Sequence, residues 1–581
     1  MENKKFYMPY IFFALLNCLL FILFYGKLGN FFIDISRELY VPFAMNNGAV
    51  LYKDIFNVYA PLGYQINSFF TFIFGNNLNT FYILGLFNSI LVIFAIYSIS
   101  NLLLKQSVSK SLAVFVITAC CFTNSDSISN FILPYSYSMV YALNAFLWSL
   151  FCLLCYIKNS NKKYLYFSFF IFGISSALKY DFILYSVILL FFFFYKTTKK
   201  DKLFCLVSFL FVPLLSMLNL FIKGLNFSDI KSAIEYIILL SKSASVKYLY
   251  TFLGFIPSLS YLKIILTNIF YFSVSLFIIL IPELLSYFSK TTTGIKHYVI
   301  NFIKIPVTIV ILLFLTLFYI SNSAFIFCWS ALSLFLILIL FLLKKQINYE
   351  TNDKIFLILL LSAILAGLKC VFNISFNTYG NYYLPFILIC IITYICNYTS
   401  NNKTKKEALE NLVRYCLLFF SCIYFISNFT NIFLYKTDKL DINKGIFYTD
   451  KKYSYVINKV CNYIKENTNK NDKILVLPDG GIINYITERL SDNKYYYLTP
   501  PNMEIFGSEN IINDLKLNLP EYVVIQPTIY RDYGQTSFCK SYGKELCEFI
   551  YKNYTRQIYI QDDNSLFWMS IYKKNKYDTI R

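Results

Sequence analysis

Two carboxylates four residues apart, Asp34 and Glu38, bracket Arg37 and stand just before Tyr40 in an otherwise apolar stretch. If Asp34 opens a short helix, the i, i+4 spacing turns both carboxylates to one side with the cation beside them. One acid of such a pair can deprotonate an acceptor hydroxyl or hold a divalent metal, while the cation meets a phosphate. The same spacing also describes an N-cap aspartate followed by a solvated charge cluster. Acids are scarce around this pair: only fourteen of the 32 Asp and Glu residues fall within 1–434. The topology read below leaves Asp34, Glu38, Asp54, Asp126, Asp181, Asp229 and Glu235 on one rim. Ionised groups beside hydrocarbon are costly unless paired or hydrated, so these seven form a short catalogue of candidates.

Cations and ring hydroxyls recur on the same rim. Lys179-Tyr180-Asp181 closes an apolar run, and Lys242 and Lys247 occur in the mixed apolar and cationic stretch Ile234–Tyr250, which reads as an interfacial helix. Lysine is a point charge suited to phosphate, and it equally snorkels toward lipid headgroups. Tyr379, Asn381, Tyr382 and Tyr383 precede Pro385 and supply hydroxyl, amide and ring faces, or a simple aromatic belt. His297 is the only histidine and most of the 15 cysteines lie inside apolar runs, so acid–base work falls to carboxylates, Lys or Tyr. Cys152 and Cys155 have CxxC spacing without a second pair, which argues against zinc. Cys461, Cys539 and Cys547 in the polar tail leave room for one disulfide and one thiol.

The elements that must position these groups follow from composition. The chain has 581 residues, 57% hydrophobic and 14% charged, with mean hydropathy +0.54. Soluble domains carry about 25% charged residues, so a soluble enzyme and a disordered protein are excluded. A net charge of +20 spread between apolar runs reads as membrane-flanking charge, and no nucleic-acid partner is expected. About 20 apolar residues cross a bilayer. Thirteen stretches are candidates by that rule, the third, fifth, sixth and twelfth of them short, near 8–25, 81–104, 111–123, 137–157, 164–178, 182–195, 203–222, 264–285, 301–320, 324–343, 354–371, 382–396 and 412–434. The first is read as a retained anchor. Lysines gather in alternate connections (Lys105, Lys162, Lys199, Lys344, Lys405), while the facing connections near 124–136 and 321–323 have none. That bias places the N-terminus and His297 in the cytoplasm. It places loops 26–80 and 223–263 and everything after 434 outside.

The tail 435–581 is charged and punctuated, and it reads as a small extracytoplasmic α/β domain. Lys473–Pro478 and Tyr522–Gln526 read as strands, Gly480-Gly481 as a turn and Ile482–Arg489 as a helix. A turn between strand and helix can cradle phosphate, but no GxGxxG or GK[ST] accompanies this one.

The run Asp34-x3-Glu38-x-Tyr40, Gly48-x3-Tyr52-Lys53-Asp54-x-Phe56 and Pro61-Leu62 resembles bacterial members of the GT-C glycosyltransferase superfamily. The nearest likeness is to the protein mannosyltransferases and the lipid A aminoarabinose transferases. Pro134-Tyr-Ser-Tyr137, Lys179-Tyr-Asp181, Tyr382-Tyr-Leu-Pro385 and the α/β tail are similar in the same order. The resemblance implies a transmembrane catalytic domain, 1–434, that moves a sugar from a polyprenyl-phosphate donor to a lipid, glycan or protein acceptor on the outer face. It implies an acid in the first outer loop, Asp34 with Glu38 next, acting as base or as ligand of a divalent metal. The adjacent Asp-Glu pair of the mannosyltransferases is absent, Ile35-Ser36-Arg37 intervening. Inverting transfer is expected, with Arg37, Lys179, Lys242 and Lys247 toward the donor phosphate. Tyr40, Asp54, Asp181, Tyr379 and Tyr382 are expected toward the substrate. A transporter or flippase of a lipid-linked or polar solute is the alternative of a different class. It calls for mid-membrane charges and paired, broken helices, and neither is visible in the sequence.

Overall fold

The computed structural model describes residues 2–29, 34–123, 129–185, 188, 197–253, 256, 259, 262–263, 266, 270, 332–345, 349–370, 379–400, 402–442, 445–491, 493–526, 528–563 and 567–575. The side chains of 2–6, Asp34, Leu184, Leu332, Lys345 and Lys369 are outside that description. The first part of the chain is helical: α1 Glu2–Phe24, α2 Asp34–Asn46, α3 Leu62–Phe74, α4 Leu78–Ser100, α5 Gln106–Val116, α6 Tyr137–Asn159, α7 Lys162–Leu178 and α8 Lys199–Ile222. It continues with α9 Phe227–Lys242, α10 Ala244–Phe252, α11 Leu332–Lys345, α12 Thr351–Gly367, α13 Leu384–Tyr398 and α14 Lys403–Tyr435. Among the described residues five helices, α1, α4, α6, α8 and α14, are long and apolar enough to cross a membrane. The runs expected near 111–123, 164–178, 354–371 and 382–396 are helices too. The runs 264–285 and 301–320, His297, and most of 182–195 lie outside the described residues, so a count of thirteen spans is not reached here.

The expected outer loops contain helices of their own. Residues 35–45 of α2 are buried on every face, so this segment is a wedge rather than a connection. Pro42 lies inside α2 and has no N–H for the Glu38 carbonyl, which loosens the helix one turn past Arg37. In 223–263, Ser243 breaks the expected single helix into α9 and α10 because its hydroxyl caps α10 by accepting from Val246 N.

After α14 the chain forms β1 Asp438–Leu440, β2 Phe447–Thr449, α15 Lys451–Asn467, β3 Ile474–Leu477, α16 Gly481–Thr487, α17 Pro500–Phe506, α18 Ser508–Leu517, β4 Tyr522–Ile525, α19 Lys544–Asn553, β5 Tyr554–Gln561 and β6 Trp568–Lys574. β1 and β2 pair with each other, and the larger sheet has the order β3-β4-β6-β5. β3 and β4 are parallel, register Ile474 to Tyr522, while β6 runs antiparallel to β4 and to β5. All four residues of β3 and of β4 are buried, the pattern of strands covered on both faces. Cys539 and Cys547 form a disulfide, and Cys461 is free and buried. Burial pushes the Cys461 thiol up to about 12.

This sheet region rests directly on α2. A Cβ at Gly481 would lie 3.2 Å from the Ser36 carbonyl oxygen and 3.1 Å from Tyr40 Cβ. The glycine turn therefore serves a close helix–helix approach, and that accounts for Gly480-Gly481 without a phosphate. The Tyr40 ring packs against that of Tyr496, centroids 5.1 Å apart and tilted by 45°, and its hydroxyl accepts from Ser491 N at 2.8 Å. Ser36 donates to the buried Asp479 carboxylate at 3.4 Å.

Candidate functional site

The end of the bundle at which α6 begins is organised by α2. Glu38, 1% exposed, accepts from the Tyr64 hydroxyl at 3.0 Å and from Tyr137 N at 3.1 Å. Tyr137 is the first residue of α6, so the carboxylate meets one of the N–H groups that a helix start leaves without an intrahelical partner. Arg37 lies 3.7 Å from the same carboxylate. Its Nη2 donates to the Tyr135 carbonyl and its Nη1 to the Tyr59 hydroxyl, both at 3.3 Å. The Arg37 guanidinium stands 4.7 Å from the Tyr59 ring centre and 5.5 Å from that of Tyr497. Tyr497 belongs to the C-terminal sheet region and pairs with Asp479 in an isolated bridge.

A second cation reaches the same rings. Lys179 caps the C-terminal end of α7 and is 8% exposed. Its ammonium lies 5.7 Å from the Tyr59 ring centre, 6.0 Å from Tyr135 and 5.1 Å from Tyr379. Asp181 is 3.9 Å away, and the Tyr379 hydroxyl donates to it at 3.3 Å. Tyr382 is fully buried, stacked on Phe131 at 5.7 Å. Asn381 donates to the Ser129 carbonyl at 2.8 Å, tying the segment before α13 to the one before α6.

Residues from six separate stretches thus meet: 37–38, 59, 135–137, 179–181, 379–382 and 497. The two cations are buried, whereas Tyr59, Tyr135, Tyr379, Tyr497 and Asp181 are half-buried around them. A guanidinium and an ammonium beneath a rim of tyrosines can meet an anion from the exposed side, and the ring faces hold the cations in place meanwhile.

The remaining expected residues fall elsewhere or have other partners. Asp34 is the first residue of α2, and its side chain, like Asp126, lies outside the described set. Tyr40 faces the C-terminal sheet region rather than the tyrosine rim. Asp54 is exposed and accepts from Val50 N at 2.8 Å, closing its own turn around Tyr52, whose φ is 72°. Lys242 and Lys247 are exposed on α9 and α10. Among the described residues no ion pair or ring contact joins them to Arg37 or Lys179. Those two helices dock on α17: Glu504 accepts from the Ser243 hydroxyl at 2.7 Å and from Ala244 N at 3.0 Å. Burial raises the Glu504 carboxyl, but these bonds outweigh it and hold it below the usual range.

As a metal ligand Glu38 fits poorly, because its oxygens already serve Tyr64, Tyr137 and Arg37. Among the described residues no three His, Cys, Asp or Glu side chains group around a point. Sequence reasoning did not single out Tyr59, Tyr135 or Tyr497 for the site. Tyr59 and Tyr135 lie inside motifs it quoted, but with 52 tyrosines in the chain ring type alone carries no signal. Tyr497 is recruited through the fold.

No protein-family model and no curated protein matches this chain. Solved structures do. The Archaeoglobus fulgidus oligosaccharyltransferase in complex with Zn and sulfate superposes with TM-score 0.50 at 12% identity, over 97% of this chain and 73% of that one. Its apo form gives TM-score 0.50 at 12% identity, over 100% and 76%. ArnT from Cupriavidus metallidurans bound to undecaprenyl phosphate gives TM-score 0.48 at 8% identity, over 97% of each chain. At these identities the likeness concerns architecture, and the conclusion is one of fold: this chain shares the fold of the archaeal oligosaccharyltransferase.

Proposed function

We propose that this protein is an integral-membrane glycosyltransferase that takes a sugar from a polyprenyl-phosphate donor and delivers it to an acceptor on the outer face. In this reading residues 1–434 form the catalytic membrane domain, and 435–581 form an extracytoplasmic domain that closes over α2. The N-terminus is cytoplasmic. The observation that carries the proposal is the convergence of two buried cations, Arg37 and Lys179, on the Tyr59 ring, three residues along α2 from Asp34. Burying cations at a membrane rim is costly, and an anionic ligand that enters their field offsets the cost. The phosphate of a lipid-linked sugar is such a ligand, and it arrives from the bilayer.

Asp34 accepts the proton of the acceptor hydroxyl, and the oxygen attacks the anomeric carbon as the carbon–oxygen bond to phosphate breaks. Transfer is inverting. Arg37 and Lys179 stabilise the negative charge gathering on the departing polyprenyl phosphate, the larger contribution. Tyr59, Tyr135 and Tyr379 hold both cations by their ring faces, and Asp181 fixes the ammonium of Lys179. Glu38 is a positioning residue: it joins α2 to α3 and α6 and neutralises Arg37 between ligands. Lys242 and Lys247 serve the approach of the anionic lipid, since both stay exposed. No step is routed through a metal.

Asp34→Asn in isolated membranes, with consumption of polyprenyl-phosphate-linked sugar measured, is the test. Loss of turnover by a factor of about 100 or more at normal protein level is expected for a missing base. Undiminished turnover would defeat the assignment.

A further inference from the structure

A second recess lies away from the tyrosine rim. A groove of about 520 Å³ runs between the C-terminal end of α2, one face of α3 and α8. Its polarity is graded along α8. Lys223, just past the helix end, lines the mouth, followed inward by Asn219, Ser216 and Val212. At 1.5 Å per residue these lie about 6, 10 and 16 Å below Lys223. Across from them α3 contributes Gln65, Ser68, Phe69 and Phe72 to the lining. The amide and hydroxyl level is internally bonded: Gln65 Nε2 donates to the Ser216 carbonyl at 2.9 Å, and Ser216 Oγ donates to Gln65 Oε1 at 2.6 Å. Asn219 Oδ1 accepts a longer bond from Gln65, 3.4 Å. The rest of the lining is apolar: Leu215 and Val212 continue α8 past Ser216, and α3 adds Phe69, 59% exposed, and Phe72, 77% exposed.

A second ammonium reaches the mouth. Lys53 Nζ donates to the Gly224 carbonyl at 3.3 Å, one residue beyond Lys223, and both lysines are exposed. Along α8 the groove therefore presents cations, then an amide and a hydroxyl, then the apolar side chains of Leu215 and Val212. The polar layer of a bilayer adds about 6 Å per leaflet to the hydrocarbon, so the amide level begins where that layer meets the acyl chains. A glycerophospholipid has its groups in this order: phosphate, ester carbonyls, hydrocarbon. A polyprenyl phosphate passes from phosphate to isoprene with nothing between for Asn219 to address.

We propose that the α2–α3–α8 groove is a binding site for an anionic glycerophospholipid, its phosphate on Lys53 and Lys223 and its ester carbonyls at the Asn219 amide. The site is independent of the glycosyl-transfer reading. Its test is lipid retention by the full chain in detergent, read by native mass spectrometry with phosphatidylglycerol, phosphatidylcholine and undecaprenyl phosphate as probes. Phosphatidylglycerol is expected to be retained over phosphatidylcholine, and Lys223→Gln to weaken it about fivefold, the worth of one lysine near an anionic headgroup. Asn219→Leu should weaken phosphatidylglycerol and leave undecaprenyl phosphate unchanged. Both side chains are exposed, so folding of the variants is not at risk. Equal retention of the two phospholipids, indifference to Lys223→Gln, or loss of undecaprenyl phosphate in that variant would overturn the assignment. Undecaprenyl phosphate held at the Arg37 recess does not respond to Lys223→Gln, which separates this outcome from failure of the transfer reading.

Discussion

The two ends of the helical bundle use charge in opposite ways. Where α5, α7, α8 and α14 begin, the acid is buried and the base exposed: Lys105 is 54% exposed against 7% for Glu410, and Lys162 56% against 6% for Asp201. Where α6 begins and α7 ends, the cations are buried, Arg37 at 4% and Lys179 at 9%, with Asp181 at 33%. An exposed lysine over a buried carboxylate is a solvated clamp that needs no further partner, as Asp201 shows by also capping α8 through Thr198. Buried cations under half-open rings are a preorganised field for an incoming anion. The contrast separates exposed lysines over buried acids from cations that are themselves buried beneath aromatic rings, Arg37 with the buried Glu38 beside it.

Lysines at the two ends give the largest expected difference. Lys179→Ala should lower glycosyl transfer by about 30- to 100-fold, equivalent to about 2–3 kcal/mol of transition-state stabilisation. Lys105→Ala should leave turnover alone and change the melting temperature little. Matched kinetics and thermal unfolding of both variants in detergent would measure this, and equal kinetic losses would erase the contrast. Next is Glu38→Ala, which strands the Tyr64 hydroxyl, the Tyr137 N–H and Arg37 in a buried place. It should destabilise by about 3–5 kcal/mol, with Glu38→Gln milder because it keeps acceptor capacity.

Smaller effects probe how the C-terminal sheet region serves the rim. Gly481→Ala brings a methyl to 3.2 Å from the Ser36 carbonyl oxygen and should cost about 1–2 kcal/mol, read as a lowered melting temperature. The smallest effect is a pH dependence at Glu504, whose folded pKa is depressed. Its contribution is present above the unfolded value of about 4.3 and is lost as pH falls through the folded value. Protection of the Ala244 and Ser245 amides, relative to their unfolded exchange rates, should fall over that acid range in the wild type, with Glu504→Gln already weakly protected at neutral pH.

Much of this architecture is legible in the sequence because it rests on strong local signals. The apolar runs, the helix beginning at Asp34, the strands at 474–477 and 522–525 and the turn at Gly480-Gly481 all follow from periodicity and punctuation. The β5–β6 hairpin escaped because Thr555, Arg556 and Gln557 are polar and exposed in succession, so β5 lacks an alternating apolar pattern. The break at Ser243 was hidden inside a continuous apolar and cationic stretch. At the site, Arg37, Lys179, Asp181 and Tyr379 were readable as scarce charges and rim residues, and the fold brings them together. The partners that define their environment were not readable, because Tyr59, Tyr135 and Tyr497 reach the cations through tertiary packing between separate stretches of the chain. Glu38 looked like an available acid until α3 and α6 supplied a hydroxyl and an N–H for it.

The most direct test of the central claim is a structure of the full chain in lipid with a polyprenyl phosphate bound. The account predicts phosphate density beneath the tyrosine rim, within hydrogen-bonding reach of both the Arg37 guanidinium and the Lys179 ammonium. Phosphate bound elsewhere, with these two cations unchanged and untouched, would contradict it.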